Sequence, residues 1–546
     1  MKKHITRLLF AALLLLALCI GASAAGTSGK CGPSAYWSFD SSTGTLTISG
    51  SGAMNDCVFQ WGDPDPRPWS AYLSEIKTVV IGDSITKIGK ESFSSLSCTT
   101  VRIGKNVQVI GENAFMNCTS LTGDLVIPDS VTTIDRWAFF GSVISNGTLT
   151  LGKGLRTIGE RAFTGCSFSG GLTIPEGVTE IAEGAFCSSS KYSSSPALGK
   201  ITGTLTLPST LKTIGAYAFA YEGFSGELLI PDGVTSIGAN AFVECDGFGG
   251  TLSLPDSVKT VGESAFYLCE GFTGLKLSAG LTKIERYSFA HMYGLKTKVV
   301  IPEGVTEIGE SAFSCSDMPS VSLPSTLKKI GKQAFQFAGL TKITLPNGLE
   351  TIGDEAFDCW NVNKAIVIPA SVKSIGKNAF RRYSYYGSGT LGAYFLGAAP
   401  QIVGTGNANC SFPSDWTLYY LPGTSDWTGD TYEGYQIAPW DGETRWDNLR
   451  TSKFGYGWDN KGNEIETSWS VNTDTGKITL TDDLNEGCAV AVSYDADGRV
   501  TSIGVLRTKT DSVRLNLQDT CRLFLLNASS VPRLNTPITI NDYLPV

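Results

Sequence analysis

The sequence predicts a β-rich solenoid of about 13 rungs, followed by a small antiparallel β-sandwich-like domain. A short pattern, Ile-Gly-x-x-Ala-Phe with small variations, recurs thirteen times along the middle of the chain. Successive copies are 22 to 24 residues apart, except for one interval of 33. Self-similarity at such a period is typical of proteins whose repeats stack on one another. The copies end at Phe93, Phe115, Phe139, Phe163, Phe186, Phe219, Phe242, Phe266, Phe289, Phe313, Phe335, Phe357 and Phe380.

Each rung begins with a stretch in which apolar and polar residues alternate. Ile343 and Leu345 are separated and flanked by polar residues, which is the period of a half-buried strand. Pro346 ends this strand, because proline cannot donate a hydrogen bond to the ladder. Gly353 then allows a tight bend on the return leg, and Phe357 turns into the core.

The distance between the strand end and the phenylalanine is constant. It is 11 residues in all thirteen rungs, so variation in length lies between each phenylalanine and the next strand. The largest insertion, around Ser188 to Ser195, falls there. The strand end is a proline in nine rungs and Gly82, Gly104, Gly152 or Ser278 in the other four.

The first 24 residues have the pattern of a secretory leader. Lys2, Lys3 and Arg7 make its start basic. An apolar stretch follows from Leu8 to Ile20, and residues 22–24 form a small-residue cleavage site. No later segment approaches the roughly 20 apolar residues that a membrane-spanning helix needs. The sequence therefore predicts a secreted, extracellular or surface-associated protein without a transmembrane segment.

The charge balance is acidic and limits the classes of partner. The chain has 43 basic and 51 acidic residues, and loss of the three leader cations leaves 40 basic ones. A negative surface repels phosphate-rich molecules. Nucleic acid is therefore not expected as a partner.

The cysteines and histidines do not predict a metal site. Removal of the leader leaves 13 of the 14 cysteines, so at least one thiol is unpaired. Cys31 and Cys57, outside the repeats, are the favoured pair for a disulfide, if one exists. His291 is the single histidine beyond the leader, and no cofactor is expected. Eight cysteines follow a repeat phenylalanine by one to five residues and are interpreted as core filler: Cys98, Cys118, Cys166, Cys187, Cys245, Cys269, Cys315 and Cys359.

The rung resembles the bacterial surface leucine-rich repeat typified by BspA. That motif reads approximately Leu-x-x-Ile-x-Ile-Pro-x-x-Val-x-x-Ile-Gly-x-x-Ala-Phe-x-x-Cys, and the likeness covers residues 76–386. The resemblance implies a leucine-rich repeat wound as a right-handed superhelix, and a surface-associated binding or adhesion protein. It divides the chain into a signal peptide at 1–24, an N-terminal cap at 25–75, the solenoid at 76–386, a C-terminal cap at 387–440 and an accessory β-module at 441–546.

The two caps and the last module are predicted from local patterns. Residues 37–54 and Pro68-Trp69 resemble the N-terminal cap of this family, and residues 391–440 resemble its closing cap. Caps are needed because bare terminal rungs would expose apolar faces and unpaired strand edges. Alternation returns in residues 477–480, 489–494, 500–506 and 522–526, which predicts the antiparallel sandwich.

A strip of outward strand residues is the first candidate binding surface. It is rich in hydroxyl groups and nearly uncharged, and a solenoid's extended surface suits a macromolecular ligand. The expected ligand is a protein or glycoprotein from host matrix, mucin or other microbes. The same residue types are also what any exposed strand prefers. The strip comprises Thr150, Thr173, Thr206, Leu229, Ser253, Lys276, Val300, Ser322 and Thr344.

The sequence bears on two other functions, carbohydrate binding and catalysis. Trp446, Trp458 and Trp469 are candidate carbohydrate contacts, although small β-modules use the same residues in their cores. An enzyme is not expected, because the sequence has neither a Gly-x-Ser-x-Gly elbow nor a phosphate-binding loop. The expected function is therefore non-catalytic.

Overall fold

The computed structural model describes most of the repeat region and its caps. The described residues are 27–60, 62–145, 147–188, 200–340, 343–358, 366–381, 392–405, 409–420 and 422–439, followed by the backbone of nine further strands. The chain divides into two compact units, Met1–Ala438 and Pro439–Val546. The predicted leader lies outside the described residues, and the predicted domain limits stay predictions.

The first unit opens with a small antiparallel sheet that starts the solenoid. Its strands are Ser28–Lys30, Ala35–Asp40 and Thr45–Gly50. The third strand then pairs in parallel with Thr78–Ile81, the first strand of the repeats. A short strand, Gly52–Ala53, pairs with Ile85–Ile88 on the return leg. A 3₁₀ turn at Ser70–Tyr72 completes this cap.

The strands that end at the proline position form a first ladder. They pair in parallel and in register, so that Leu125 lies opposite Leu149 and Val126 opposite Thr150. The inward residues are apolar and nearly all buried, with Val101 half-buried. No strand forms around Thr344 in the described residues. The first-ladder strands are Thr78–Ile81, Thr100–Arg102, Leu125–Val126, Leu149–Thr150, Leu172–Thr173, Leu205–Thr206, Gly226–Leu229, Phe248–Ser253, Phe272–Lys276, Val299–Val300, Val321–Ser322 and Ile366–Ile368.

The return leg forms a second ladder where the sequence predicts only a bend. A β-branched pair such as Thr133-Ile134 lies in register with Thr157-Ile158 of the next rung. These strands, with Gly52–Ala53 of the cap added to the first sheet, join into sheets of five, four and five strands. They are Ile85–Ile88, Val109–Ile110, Thr133–Ile134, Thr157–Ile158, Glu180–Ile181, Thr213–Ile214, Ser236–Ile237, Thr260–Val261, Lys283–Ile284, Glu307–Ile308, Lys329–Ile330, Thr351–Ile352 and Ser374–Ile375. Four shorter strands pair elsewhere: Leu121–Thr122 with Ile144–Ser145, and Thr202–Gly203 with Gly223–Phe224.

The glycine that follows the second ladder allows close contact between rungs. A Cβ atom at Gly353 would lie 2.6 Å from the carbonyl carbon of Gly331 in the preceding rung. Such a distance is far inside van der Waals contact, so the glycine fits tight stacking here. Asp135, Ala182 and Glu285 replace this glycine in three rungs, so a glycine is not required at this position in every rung.

The repeated phenylalanines form one continuous stack of rings. All thirteen are buried, and neighbouring ring centroids are 5.1 to 5.8 Å apart with nearly parallel planes. The caps extend the stack beyond what the repeat pattern predicts. Trp69 lies 5.4 Å from Phe93 at one end. Phe412 lies 5.2 Å from Phe380 at the other end, and Trp416 stacks on it.

The turn that carries each phenylalanine has an unusual backbone. The residue two positions before the phenylalanine has a positive φ, between 52° and 60°, in all thirteen rungs. This conformation turns alternate amides toward the next rung, so that Asn240, Phe242 and Glu244 donate to carbonyls of that rung at 2.8 to 2.9 Å. The first-ladder strand, the second-ladder strand and the turn of a rung are thus all hydrogen-bonded to neighbouring rungs. The constant 11-residue spacing follows, because an inserted residue would break this register.

We call the position three residues after the phenylalanine the cysteine slot. In several rungs its side chain donates a hydrogen bond to the preceding rung. Cys269 Sγ lies 3.0 Å from the carbonyl oxygen of Phe242 in the preceding rung, and Cys118, Cys166 and Cys245 make the same contact. Ser142 and Ser316 replace the thiol with a hydroxyl at this place. Burial raises the pKa of Cys269 to about 12, so the group stays a protonated donor. The side chain in this slot therefore links neighbouring rungs by a hydrogen bond as well as filling the core.

We expect Cys269→Ala to lower the free energy of unfolding by about 1–3 kcal/mol, because it leaves the buried Phe242 carbonyl without a donor. Cys269→Ser keeps a donor and is expected to cost less. Urea unfolding of both variants measures the difference. Equal losses from the two substitutions would show that packing alone accounts for the cysteine.

The other cysteines for which the sequence makes a prediction differ in their burial. Cys31 and Cys57 are both buried and unbonded to each other, so the favoured disulfide is absent from the described structure. Cys98 and Cys187 are buried as predicted. Cys315 is half-exposed, which corrects its assignment to the core, because its place two residues after Phe313 lies on the outside of the turn. Cys359 lies outside the described residues.

The C-terminal cap continues the first ladder. Gly392–Phe395 pairs with Ile366–Ile368, and Thr417–Tyr420 pairs with Gly392–Phe395, all in parallel. The strands Thr431–Tyr432 and Tyr435–Pro439 close this sheet. Trp416 and Trp427 are buried in the cap, where the ring of Trp427 stacks on Tyr420.

The second unit is built from antiparallel strands, as predicted. Cys488–Tyr494 pairs with Val500–Leu506 and with Thr520–Leu526. The side chains of this unit lie outside the described residues, so the sandwich arrangement stays a prediction. The other strands are Tyr456–Trp458, Glu464–Glu466, Trp469–Asn472, Lys477–Leu480, Ser512–Arg514 and Ile538–Thr539.

Candidate functional site

The solenoid presents three different surfaces, and the first is the outer side of the first ladder. We call this surface the strand face, and it contains the predicted strip. Eight of the nine strip residues are exposed, and Ser322 is half-buried. Leu229 is 72% exposed, Val126 beside the strip 54% and Val300 48%. Large aliphatic side chains in water carry a cost that binding can remove.

The ladder brings neighbouring strip residues together in pairs. Thr173 lies opposite Thr206, Leu229 opposite Ser253, and the latter opposite Lys276. Val300 lies opposite Ser322. Strand pairing therefore joins the strip in short runs of adjacent side chains. Thr344 is exposed in the rung after Ser322, although it belongs to no strand.

The second surface, the outer side of the second ladder, is charged and largely self-paired. Lys329 Nζ lies 3.1 Å from Glu307, and Lys373 Nζ lies 2.6 Å from Glu350 in neighbouring rungs. The hydrogen bond from Lys373 and its charge hold the pKa of Glu350 below its ordinary value. Surface ion pairs of this kind add little stability. They do neutralise one another, which leaves the strand face as the less charged side.

The third surface is the outside of the phenylalanine turns, and the sequence interpretation missed it. Large rings occupy left-handed positions there, with φ of 56° at Tyr217, 53° at Tyr287, 58° at His291 and 54° at Phe337. A left-handed backbone disfavours every residue with a side chain, and glycine or asparagine is usual. The variable positions on either side of the Ala-Phe pair carried this signal, since most rungs have small or polar residues there.

This third surface, which we call the turn face, contains an open cavity of about 390 Å³. Its rings come from three of the four rungs that line it: Tyr267, Tyr287, His291 and Phe337. The ring of Tyr267 lies edge-to-face against Tyr287 at 5.9 Å and against His291 at 5.1 Å between centroids. The next ring, Tyr293, places its hydroxyl 2.6 Å from His291 Nδ1.

Neutral polar side chains line the rest of this cavity. They are Ser264, Ser311, Ser314, Gln333 and Gln336, with the Cys315 thiol beside them. Glu355 fixes the two amides, because its carboxylate accepts from Gln333 at 2.6 Å and from Gln336 at 3.2 Å. Burial lowers the pKa of His291 and raises that of Cys315, so both are neutral at pH 7.

The tryptophans of the second unit cannot be placed in a site. Trp446 lies outside the described residues, while Trp458 and Trp469 belong to strands whose side chains lie outside them. Their carbohydrate contacts stay a prediction. Within the described part of the chain, no cluster of three or more His, Cys, Asp or Glu side chains is arranged for a metal ion. Nor does any helix among those residues have the length and apolar character to cross a membrane.

Comparison with solved structures finds leucine-rich repeat proteins of bacteria. A leucine-rich repeat protein of Bacteroides ovatus is 19% identical, with 71% of this chain and 98% of that chain covered and a TM-score of 0.43. One from Eubacterium ventriosum is 20% identical, covering 66% and 97%, with a TM-score of 0.35. A leucine-rich cell surface protein of Faecalibacterium prausnitzii is 21% identical, covering 69% and 97%, with a TM-score of 0.32. No curated protein matches the chain.

The repeats also match a defined family. The family described as the BspA type leucine-rich repeat region matches residues 86–203, 199–316 and 295–386, which together span more than half of the chain. The match covers the two ladders and the phenylalanine stack, the parts that the repeated motif specifies. This chain therefore belongs to the BspA-type leucine-rich repeat proteins.

Proposed function

We propose that this protein is a secreted or cell-surface binding protein without catalytic activity, and that its strand face recognises a protein or glycoprotein ligand. The observation that carries the proposal is the exposed column of hydroxyl-bearing and aliphatic side chains, with Leu229 at its centre. Secretion rests on the leader pattern of residues 1–24, and display at the surface on the family.

The area and the charge of the strand face both suit a protein ligand. Interfaces between proteins bury about 800 Å² on each partner, which an extended row of rungs can supply. The cores of such interfaces are poor in charge. The strand face fits this description better than the second ladder, where lysines and glutamates already pair across rungs.

A charge-introducing variant tests the strand face. Thr173→Lys, Thr206→Lys and Leu229→Lys together place three cations on adjacent rungs. We expect capture of ligand from mucin and extracellular-matrix extracts to fall about tenfold or more, because each buried lysine must be desolvated. Quantitative pull-down with the mature chain measures the effect.

The matched control places the same charges on the other ladder. Thr213→Lys, Ser236→Lys and Thr260→Lys lie on neighbouring rungs of the second ladder. This variant is expected to capture ligand as the parent does. If the strand-face variant folds and captures its ligand undiminished, or if both variants lose it equally, the strand face is not the binding surface.

A further inference from the structure

The cavity on the turn face has the chemistry of a ligand site, and its position separates it from the strand face. Its rings and polar groups come from consecutive rungs, which end at Phe266, Phe289, Phe313 and Phe335. A volume of about 390 Å³ lies within the range of small-molecule sites. Aromatic walls with a few convergent polar groups are typical of such sites.

The backbone conformation alone does not favour rings at three of these positions. Tyr287, His291 and Phe337 all have positive φ, and each would be better replaced by glycine or asparagine for the backbone alone. Asn113, Asn240 and Asn378 stand at the place of Tyr287 in other rungs, and Asn117 stands at the place of His291 and Phe337. Three rings at such positions meet at the cavity, although the left-handed backbone itself recurs in every rung.

The lining selects the charge of the ligand. No residue around the cavity carries a formal charge at neutral pH, since the lining is Tyr, His, Phe, Ser, Gln and Cys. Arg286 stacks on Tyr287 at 4.6 Å, but its guanidinium pairs with Glu263 and Glu310. The Glu355 carboxylate is already engaged by the two glutamines. An anion or a cation would find no counter-charge here.

The lining also selects the shape and polarity of the ligand. Ring faces favour flat apolar surfaces, while hydroxyl and amide groups need polar partners in the same molecule. A pyranose has both, because its C–H groups lie on one face and its hydroxyl groups around the edge. Nucleobases also stack on rings, but the acidic chain, with a net charge of −8, disfavours nucleic acid.

We propose that this cavity is a subsite for a neutral saccharide, a hexose or N-acetylhexosamine unit of a glycan. The sugar packs its apolar face on the rings of Tyr287 and Phe337 and directs its hydroxyl groups toward Ser311 and Gln333. A second patch on the same face, formed by Tyr217 and Tyr221, packs with Tyr267 around the buried Cys187, Ala220 and Val243. Tyr267 belongs both to this patch and to the lining of the cavity.

Tyr287→Asn provides the test, because it removes the ring and restores a residue that tolerates the left-handed backbone. The probes are chitotetraose, cellotetraose, mannotetraose and lacto-N-tetraose, with 3′-sialyllactose and choline as charged comparators. Isothermal titration of the full chain is expected to show binding of at least one neutral tetrasaccharide. The substitution is expected to weaken that binding about tenfold or more.

Trp137→Asn is the matched control. Trp137 occupies the same place in its rung, with φ of 57° and Arg136 stacked on its ring, but lies outside the cavity. It should leave saccharide binding unchanged, and Tyr287→Asn should lower the Tm no more than this control does. A purely structural role for Tyr287 predicts the opposite, a larger fall in Tm with unchanged binding.

Three results would overturn the subsite. They are no binding of any neutral tetrasaccharide by the parent chain, unchanged binding by Tyr287→Asn, and binding of choline or the sialylated sugar alone. The variant with lysines at positions 173, 206 and 229 is expected to bind the saccharide normally, so that failure of the strand face and failure of this cavity are distinguishable.

Discussion

Replacing Phe242 with alanine is expected to lower the free energy of unfolding by about 3–5 kcal/mol. The ring is fully buried and stacks on Phe219 and on Phe266, each 5.3 Å away between centroids. It also meets Phe248 edge-to-face at 6.2 Å. Alanine would leave a cavity that two rigid neighbouring rungs cannot close. Urea unfolding followed by circular dichroism measures the loss.

The loss should be concentrated around the mutated rung. In a solenoid each repeat contacts only its neighbours, so stability is close to a sum of terms between adjacent rungs. Hydrogen exchange should therefore quicken most at the amides of Phe219 and Phe242, which donate to the following rung. Phe337→Ala is the control, since that ring is 46% exposed. An equal loss from the two substitutions would contradict the importance of the stack.

Replacing Glu222 with glutamine is expected to stabilise the protein by about 1–3 kcal/mol above neutral pH. Glu222 is fully buried and stands in the slot that Cys245 and Cys269 fill in the next rungs. One carboxylate oxygen accepts from the amide of Ile201. The other has no hydrogen-bond partner among the described residues. A glutamine amide supplies the donor that this slot otherwise provides.

The effect depends on pH in a defined direction. Burial raises the pKa of Glu222 well above 4.5, so the folded chain holds the carboxyl in its protonated form. A raised pKa means that the folded state binds the proton more tightly than the unfolded state. The stability this provides is fully present below pH 4.5 and is lost as pH rises through the folded pKa.

Chemical unfolding at a series of pH values tests this expectation. The parent chain should lose stability as pH rises above about 4.5, and Glu222→Gln should lose less. The two proteins should be nearly equal at the acidic end. Glu263→Gln, at a carboxylate that is 51% exposed, is the matched control and should follow the parent. If the parent and Glu222→Gln show the same pH dependence of stability, the loss of stability with rising pH does not come from Glu222.

The repeated motif contains enough information to predict the rung but not its second ladder. Strict alternation before the proline reveals the first ladder, because its period of two residues is visible in sequence. The second ladder consists mostly of two-residue strands such as Thr157–Ile158, which are too short to show a period. Its existence depends on pairing with other rungs. The places of Phe412 and Trp69 in the ring stack also depend on contacts with other parts of the chain, which the repeated motif does not show.

The candidate sites were predictable to different degrees. The exposed strip follows from alternation, and the structure places Thr173, Thr206 and Leu229 on the outside. The ring cavity does not follow from alternation, because its members come from four rungs and stand at places that the motif leaves variable. Only the folded turn shows that residues such as Tyr287 and Phe337 share a surface. Large residues at variable motif positions are the signal to look for.

The phenylalanine turns also give the stack a direction. Every rung donates its turn amides to the rung that follows, so the two ends differ in chemistry. The cap before the first rung must offer donors, and Cys57 donates to the carbonyl of Lys90 at 2.9 Å. The cap after the last rung must offer acceptors, and Ser411 accepts from Phe380 at 3.0 Å. The caps are not interchangeable, and the chain can grow or shrink only by whole rungs exchanged between them.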